Sequence, residues 1–115
     1  TDYSGQCLKT VEKFAAAAEI SDVSLAWQSQ MGGNVKWLLP SATETAEKMA
    51  KDGSYGINVI CPGFACDCTE TLIEIDGDLR KVFLGAGGKI FNYIPCLNDS
   101  ADHAVMFSEI FERMK

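Results

Sequence analysis

Three carboxylates follow one another at a regular spacing in the middle of the sequence. Glu70, Glu74 and Asp78 are four residues apart, so they would share one face of a continuous α-helix. Like charges at this spacing repel one another and mildly destabilise a helix. A row of carboxylates could, in return, pass protons or hydrated divalent cations along its length. The spacing makes these residues candidates for proton or metal transfer.

A structural explanation fits the same residues. Asp67, followed three residues later by Glu70, has the pattern of a helix N-cap with its capping-box partner. Acidic first turns also complement the helix dipole. Glu74 and Asp78 would then lie on a solvated helix face. The spacing alone leaves both interpretations open.

Both tryptophans of the chain, Trp27 and Trp37, flank a glycine-containing loop. Two aromatic faces on such a loop suit a large flat ligand. Trp27 also fits the core side of its own predicted strand. Trp37 could pack on the following helix or line a pocket, and the composition of the loop does not distinguish these two roles.

Five cysteines form an odd set without a visible secretory signal, which argues against a disulfide framework and for a reducing compartment. Cys61, Cys66 and Cys68 are closely spaced, but their spacing matches no common zinc pattern. Cys7 and Cys96 lie much further away in the sequence. We expect buried thiols here, and neither a zinc site nor an iron–sulfur cluster.

The composition describes one globular unit with an acidic surface. The 115 residues are 47% hydrophobic and carry a formal net charge of −6, so binding to nucleic acid is not expected. The apolar stretches are far shorter than the roughly 20 residues that span a bilayer, so no transmembrane segment is expected.

The single histidine, His103, excludes any mechanism that needs two histidines within this chain. Its position predicts a surface or helix-capping residue.

Helix and strand patterns alternate along the chain. Periodicity and capping residues predict helices at residues 5–18, from Ser41 to about 52, at 67–86 and from about 102 onward. Short apolar runs predict strands at residues 23–27, 57–61 and 90–94. This order predicts an α/β fold in one domain over residues 1–115, with a small doubly wound parallel sheet flanked by helices. Ligands of such sheets bind beyond the carboxyl ends of the strands, here residues 27–29, 61–64 and 95–98.

Four motifs occur in a fixed order. They are Trp27-Gln-Ser29 with Trp37-Leu38 and Pro40, residues 61–72, Phe83-Leu-Gly-Ala-Gly-Gly-Lys89 and Tyr93-Ile-Pro-Cys-Leu-Asn98. Together they extend over nearly the whole chain and resemble the C-terminal half of ferrochelatase, most closely its bacterial branch. The resemblance implies a lyase of haem and porphyrin biosynthesis that inserts Fe(II) into protoporphyrin IX to form protohaem. It also implies two similar α/β domains with the porphyrin cleft between them.

The resemblance implies roles for the acidic residues. Glu70 matches the family's catalytic glutamate, which takes protons from the pyrrole nitrogens or delivers the metal. Glu70, Glu74 and Asp78 match a metal-binding acidic line along a helix with π character. Asp67 matches the aspartate that precedes the glutamate. Fe(II) and protoporphyrin IX would be substrates, and no resident cofactor is implied.

The resemblance also implies a porphyrin-binding surface. Gln28 and Ser29 match a loop that lines the porphyrin cleft, and Trp37 matches a tryptophan near the macrocycle. Two positions depart from the common pattern of the family. Gln30 replaces the basic residue that usually follows the Gln-Ser pair, and Cys68 stands where many eukaryotic members have histidine and bacterial relatives often have cysteine.

The family's essential histidine, in a His-Ser-Leu-Pro-type segment, lies shortly before the region that matches Thr1, and His103 cannot replace it by position. We therefore expect the chain to need an N-terminal ferrochelatase domain or a homodimer partner and to be inactive, or nearly so, alone. A cytoplasmic location is expected, and peripheral membrane association stays open. Two other functions also stay open: a non-catalytic porphyrin- or haem-binding module and a small homodimeric tetrapyrrole chelatase.

Overall fold

The computed structural model describes residues 2–30, 33 and 36–115. Their contacts divide the chain into two compact units, Thr1–Thr45 and Ala46–Lys115. The helices are α1 (Tyr3–Ala18), α2 (Ala42–Lys51), α3 (Thr69–Leu72), α4 (Arg80–Gly85) and α5 (Ala101–Arg113), with a π-helical segment at Glu74–Leu79. The strands are β1 (Gly56–Ile60) and β2 (Ile90–Ile94). That residues 1–115 form one domain stays a prediction.

The helix predicted at residues 5–18 is confirmed and begins two residues earlier. Asp2 is its N-cap, and the Asp2 carboxylate accepts a hydrogen bond from the Gly5 N–H at 3.0 Å. At the other end Glu19 adopts a left-handed conformation with φ 55°, which ends the helix. Capping residues at both ends thus set the length of α1.

The strand predicted at residues 23–27 is wrong. Only Trp27 pairs, in an isolated parallel bridge with Ser41. The Trp27 N–H donates to the Pro40 carbonyl at 2.9 Å, and the Ala42 N–H donates to the Trp27 carbonyl at 2.7 Å. The pairing stops there because Ser41 is followed at once by α2, so the partner segment does not continue in an extended conformation.

The predicted cap of α2 is confirmed. The Ser41 hydroxyl accepts a hydrogen bond from the Glu44 N–H at 3.1 Å. Ala46 and Ala50 are buried on one face, four residues apart. The helix ends beside Gly53, whose φ of 100° suits the left-handed turn that glycine adopts without steric cost.

The second unit is built around a two-stranded parallel sheet. Strands β1 and β2 pair in register from Gly56 opposite Ile90 to Ile60 opposite Ile94. Both strands were predicted from the sequence, within one residue at their ends. The α/β class and the parallel sheet are therefore confirmed, although the described residues form two strands and not the three that the sequence predicts.

The helix predicted at residues 67–86 is interrupted. Between α3 and α4 the backbone forms a π-helical segment, in which the Asp78 N–H donates to the Ile73 carbonyl, five residues back, at 2.7 Å. Arg80, at the start of α4, forms an ion pair with Asp76 and donates from Nη1 to the Phe91 carbonyl at 2.7 Å. This bond attaches the crossover segment to β2.

The buried core of the second unit lies under this crossover. Phe83 is fully buried, and its ring centroid lies 6.2 Å from that of Phe91 on β2. Ile75 and Leu79 of the π-helical segment are also buried. A Cβ atom at Gly88 would overlap the Phe83 ring, so this glycine allows the chain to pass close to the core.

The prediction that His103 is a surface or helix-capping residue is wrong, because it is buried and the N-cap of α5 is Ser100. The residue is only 8% exposed, and its Nδ1 donates to the Asn98 carbonyl at 2.5 Å. Asn98 adopts a left-handed conformation with φ 51°, and the tight turn brings its carbonyl to the first turn of α5. The Ser100 hydroxyl caps this helix by accepting a hydrogen bond from the His103 N–H.

Among the described residues, no helix is both long and apolar enough to cross a membrane.

Candidate functional site

Two loops meet beyond the carboxyl ends of the parallel strands. Residues 61–68 follow β1 and residues 95–100 follow β2. The Asn98 N–H donates to the Ala65 carbonyl at 3.0 Å, and the Asp67 N–H donates to Asn98 Oδ1 at 2.8 Å. Two of the three predicted ligand-facing strand ends therefore lie side by side. The third, residues 27–29, belongs to the first unit.

Asp67 is the centre of a side-chain network, which we call the Asp67 cluster: Asp67, Thr71, Tyr93 and Asn98. Asp67 Oδ1 accepts from the Tyr93 hydroxyl at 2.6 Å and from the Thr71 hydroxyl at 2.9 Å. Asp67 Oδ2 accepts from Asn98 Nδ2 at 2.8 Å. Each carboxylate oxygen thus has a side-chain donor, and the cluster joins β2 and the loop after it to the start of α3.

The hydrogen bonds fix the protonation states within this cluster. Donation from Tyr93, and then from Asn98, holds the pKa of Asp67 well below its usual range. Burial, and then the bond to Asp67, raises the pKa of Tyr93. At neutral pH Asp67 is therefore a carboxylate and Tyr93 a neutral phenol.

The predicted capping role of Asp67 is wrong. The N-cap of α3 is Cys68, and its N–H donates to the Thr71 hydroxyl at 3.0 Å. Asp67 cannot serve as the cap because its carboxylate accepts from Tyr93, Asn98 and the same Thr71 hydroxyl. Glu70, the predicted capping-box partner, lies instead in the first turn of α3.

Glu70 is exposed and ionised. A hydrogen bond from the Cys68 side chain is the main cause that lowers the pKa of Glu70. Glu74 is half-buried at the beginning of the π-helical segment, and Asp78 is exposed near its end. Backbone bonds here reach back five residues, as in a π-helix. The π character implied by the resemblance is thus present, and the continuous α-helix assumed for the row of carboxylates is interrupted.

The acidic residues do not close around a common point. Among the described residues, no group of three or more histidine, cysteine, aspartate or glutamate side chains is arranged to hold a metal ion. The roles of Glu70, Glu74 and Asp78 toward a metal stay predictions.

The residues predicted to bind porphyrin lie in the first unit. Gln28 and Ser29 follow the Trp27 bridge and are half-buried, and Gln28 Nε2 lies 3.5 Å from Ser29 Oγ. Trp37 is 38% exposed. Part of the loop predicted at residues 28–36 lies outside the described residues, since positions 31, 32, 34 and 35 are not among them. The porphyrin-binding role of these side chains stays a prediction.

Three members of the Asp67 cluster were not predicted as site residues: Thr71, Tyr93 and Asn98. Sequence patterns placed Tyr93 in a strand and Asn98 at the end of that strand. A signal was present, because polar side chains beyond the carboxyl end of a parallel strand meet those of the neighbouring strand. The partners of Tyr93 and Asn98, however, depend on the register of β1 and β2, which the sequence does not specify.

The fold and the Asp67 cluster define an α/β protein with a polar site at the carboxyl edge of a parallel sheet. A family model described as ferrochelatase matches residues 1–115, and the chain belongs to the ferrochelatase family. It is 42% identical over 111 residues, 95% of this chain, to a ferrochelatase of Escherichia coli O127:H6. It is 40% identical over 116 residues, 99% of this chain, to a ferrochelatase of Erwinia tasmaniensis. The chain spans 34% and 36% of these relatives, about a third of their length.

Proposed function

We propose that this chain forms one wall of a ferrochelatase site, which inserts Fe(II) into protoporphyrin IX to form protohaem. The observation that carries the proposal is the ionised Glu70 beside the Asp67 cluster, followed by Glu74 and Asp78 on a π-helical segment. The relatives are named ferrochelatases, which supports the same reaction. Fe(II) and protoporphyrin IX enter this proposal as substrates.

The chemistry of insertion requires two steps that carboxylates can assist. Two pyrrole protons must leave, and a partly desolvated Fe(II) must reach the four nitrogens. A base works best when its pKa lies near the working pH, whereas the pKa of Glu70 is lowered. Glu70 has two candidate roles as the catalytic residue, removal of protons and delivery of the metal, and its lowered pKa favours delivery of the metal. Glu74 and Asp78 would contact the cation before it reaches Glu70.

The porphyrin surface is proposed to include Gln28, Ser29 and Trp37. The Trp37 side chain is partly exposed, so its ring is available to stack on a flat macrocycle. Gln28 and Ser29 carry polar groups that can bond the rim of such a ligand. These assignments depend on the family resemblance and on exposure.

We propose that the remainder of the site comes from an N-terminal ferrochelatase domain or a second copy of the chain. The chain spans about a third of its relatives, which supports a requirement for further protein. A small homodimeric chelatase with paired histidines is disfavoured, because His103, the single histidine, is buried and bonded to the Asn98 carbonyl.

We also propose a cytoplasmic location, because free cysteines, including the exposed Cys66, fit a reducing compartment. Peripheral contact with a membrane stays a prediction.

A chimera tests the proposed reaction. In the E. coli O127:H6 ferrochelatase, the segment that matches this chain is replaced by the chain itself. Anaerobic insertion of Fe(II) is followed by the loss of porphyrin fluorescence. We expect the chimera to be active, E70Q to lower kcat about 100-fold, and the chain alone to be inactive. The matched control is E109Q, which changes an exposed glutamate on α5.

The same experiment separates the alternatives. An E70Q chimera as active as its parent would refute the proposed role of Glu70. Insertion at the full rate by the chain alone would refute the need for a partner. Tight haem binding by the chain, without insertion and without dependence on Glu70, would identify a non-catalytic binding module.

A further inference from the structure

Asn98 is held in place from three directions. Its N–H donates to the Ala65 carbonyl at 3.0 Å, and its carbonyl accepts from His103 Nδ1 at 2.5 Å. Its side chain exchanges two hydrogen bonds with Asp67, both at 2.8 Å. The left-handed backbone at Asn98, with φ 51°, makes these three contacts possible at once. The residue therefore joins the loop after β1, the loop after β2 and the first turn of α5.

Tyr93 holds Asp67 from the other side. The tyrosine lies on β2, opposite Val59 on β1, and its hydroxyl donates to Asp67 Oδ1 at 2.6 Å. This is the shortest bond within the Asp67 cluster, as expected for a hydroxyl that donates to a carboxylate. With Asn98 on Oδ2, both oxygens of Asp67 are fixed by residues of the β2 edge.

Asp67 in turn fixes the first turn of α3. Its carboxylate accepts from the Thr71 hydroxyl, and that hydroxyl accepts from the Cys68 N–H at 3.0 Å. A series of hydrogen bonds thus runs from the edge of β2 to the Cys68 N–H, and Cys68 is the N-cap of the turn that carries Glu70. The Cys68 side chain is also the main cause that lowers the pKa of Glu70.

This series acts at the start of a longer helical run. The four residues of α3, Thr69–Leu72, continue through Ile73, which is also helical, into the π-helical segment. The first N–H groups of a helix have no partners within the helix, so contacts with the rest of the protein help to orient this first turn. Thr71 is fully buried and supplies such a contact, and Glu70 is its exposed neighbour.

We infer that Tyr93 and Asn98 are positioning residues, which aim Glu70 through Asp67 and the first turn of α3. The inference depends on the proposed function of Glu70. Neither residue needs to touch substrate. Residues that orient a catalytic or ligating group are commonly worth 10–100-fold in activity or metal affinity.

Two conservative variants test the inference in the chimera. Asn98→Gly removes the side-chain amide and keeps a residue that adopts the left-handed backbone readily. Tyr93→Phe removes the hydroxyl alone. We expect each to lower kcat about tenfold or more and to leave the KM for porphyrin unchanged. The matched control is Asn92→Ala, since Asn92 Nδ2 bonds Asn58 Oδ1 at 3.0 Å between the same two strands, away from Asp67.

Hydrogen exchange on the full chain gives a second readout that does not require activity. The Thr71 and Leu72 amides both donate to the Cys68 carbonyl. We expect these amides to exchange about tenfold faster in Asn98→Gly and Tyr93→Phe. The Asp52 amide donates to the Lys48 carbonyl at the end of α2, and its exchange rate should be unchanged in both variants.

The outcomes are distinguishable. If E70Q inactivates the chimera while Asn98→Gly and Tyr93→Phe keep kcat within twofold of the parent, the inference is overturned and the proposed function stands. Equal losses in Asn92→Ala would also overturn it, because the effect would then be a general one on the sheet. If E70Q has no effect, the proposed function fails, and the inference about positioning fails with it.

Discussion

Asp67 and Asn98 bind each other twice across 31 positions of sequence. The Asp67 N–H donates to Asn98 Oδ1, and Asn98 Nδ2 donates to Asp67 Oδ2, both at 2.8 Å. The pair closes a small ring that joins the loop after β1 to the loop after β2. It sits at the edge where parallel α/β sheets bind ligands. The same two residues therefore join the two loops and lie within the candidate site.

Replacement of Asp67 by asparagine should change the pH dependence of stability. Its folded pKa is depressed below the ordinary value of 3.8, so its contribution is present above about pH 4 and is lost as the pH falls below that value. We expect Asp67→Asn to lower Tm by several degrees at pH 7. The difference from the parent should shrink between pH 4 and pH 2, as measured by circular dichroism.

The control for this experiment is Asp52→Asn. Asp52 is exposed and pairs with Lys48 on the surface of α2, and such surface pairs contribute little to stability. Its Tm should remain close to that of the parent at pH 7. A gap between Asp67→Asn and the parent that stays constant down to pH 2 would contradict the assigned ionisation of Asp67.

Two cysteines of the loop after β1, Cys61 and Cys66, should differ in thiol reactivity. Burial is the main cause that raises the pKa of Cys61 to about 11, whereas Cys66 is exposed. At pH 8 only about one Cys61 side chain in a thousand is a thiolate. We expect iodoacetamide to modify Cys66 at least ten times faster than Cys61, as measured by mass spectrometry of the peptides. In urea the two rates should converge, and equal rates in the folded protein would contradict the burial of Cys61.

Local patterns in the sequence predicted much of the fold. Ser41 caps α2 and Ser100 caps α5 because a hydroxyl next to free backbone amides stabilises a helix start in almost any surroundings. The strands β1 and β2 were also predicted, since short apolar runs ended by turn residues indicate strands. These features depend only on neighbours in the chain.

The features that sequence patterns missed are not encoded in the periodicity of a single element. The segment ending at Trp27 has the composition of a strand, but its partner at Ser41 turns into a helix after one bridge. The π-helical segment contains an extra residue per turn that a spacing of four conceals. His103 is buried because Asn98 offers it a carbonyl. None of these outcomes follows from periodicity within one element.

The same limit applies to the candidate site. The acidic residues Glu70, Glu74 and Asp78 stand out in the sequence, and the resemblance gives Asp67 a role. The network that surrounds Asp67 was not predicted, because two of its three side-chain donors come from β2 and from the loop after it. Only the register of the parallel strands brings them together.

Replacement of Gly88 by alanine should destabilise the core. A Cβ atom at this position would overlap three atoms of the Phe83 ring, and Phe83 is fully buried. Overpacking of this kind costs about 1–3 kcal/mol, which should appear as a lower midpoint of urea unfolding. The matched control is Gly85→Ala within α4, where a new Cβ would meet nothing within 4 Å. That variant should be as stable as the parent or up to about 1 kcal/mol more stable, because alanine favours helix over glycine.

A double variant shows whether the collision with Phe83 is the cause. Phe83→Leu alone leaves a smaller side chain in a fully buried position and should also destabilise the protein. Combined with Gly88→Ala, it removes the ring that the new methyl group would strike. The loss in the double variant should therefore be smaller than the sum of the two single losses. Strict additivity would mean that contact with the Phe83 ring is not the cause of the loss in Gly88→Ala.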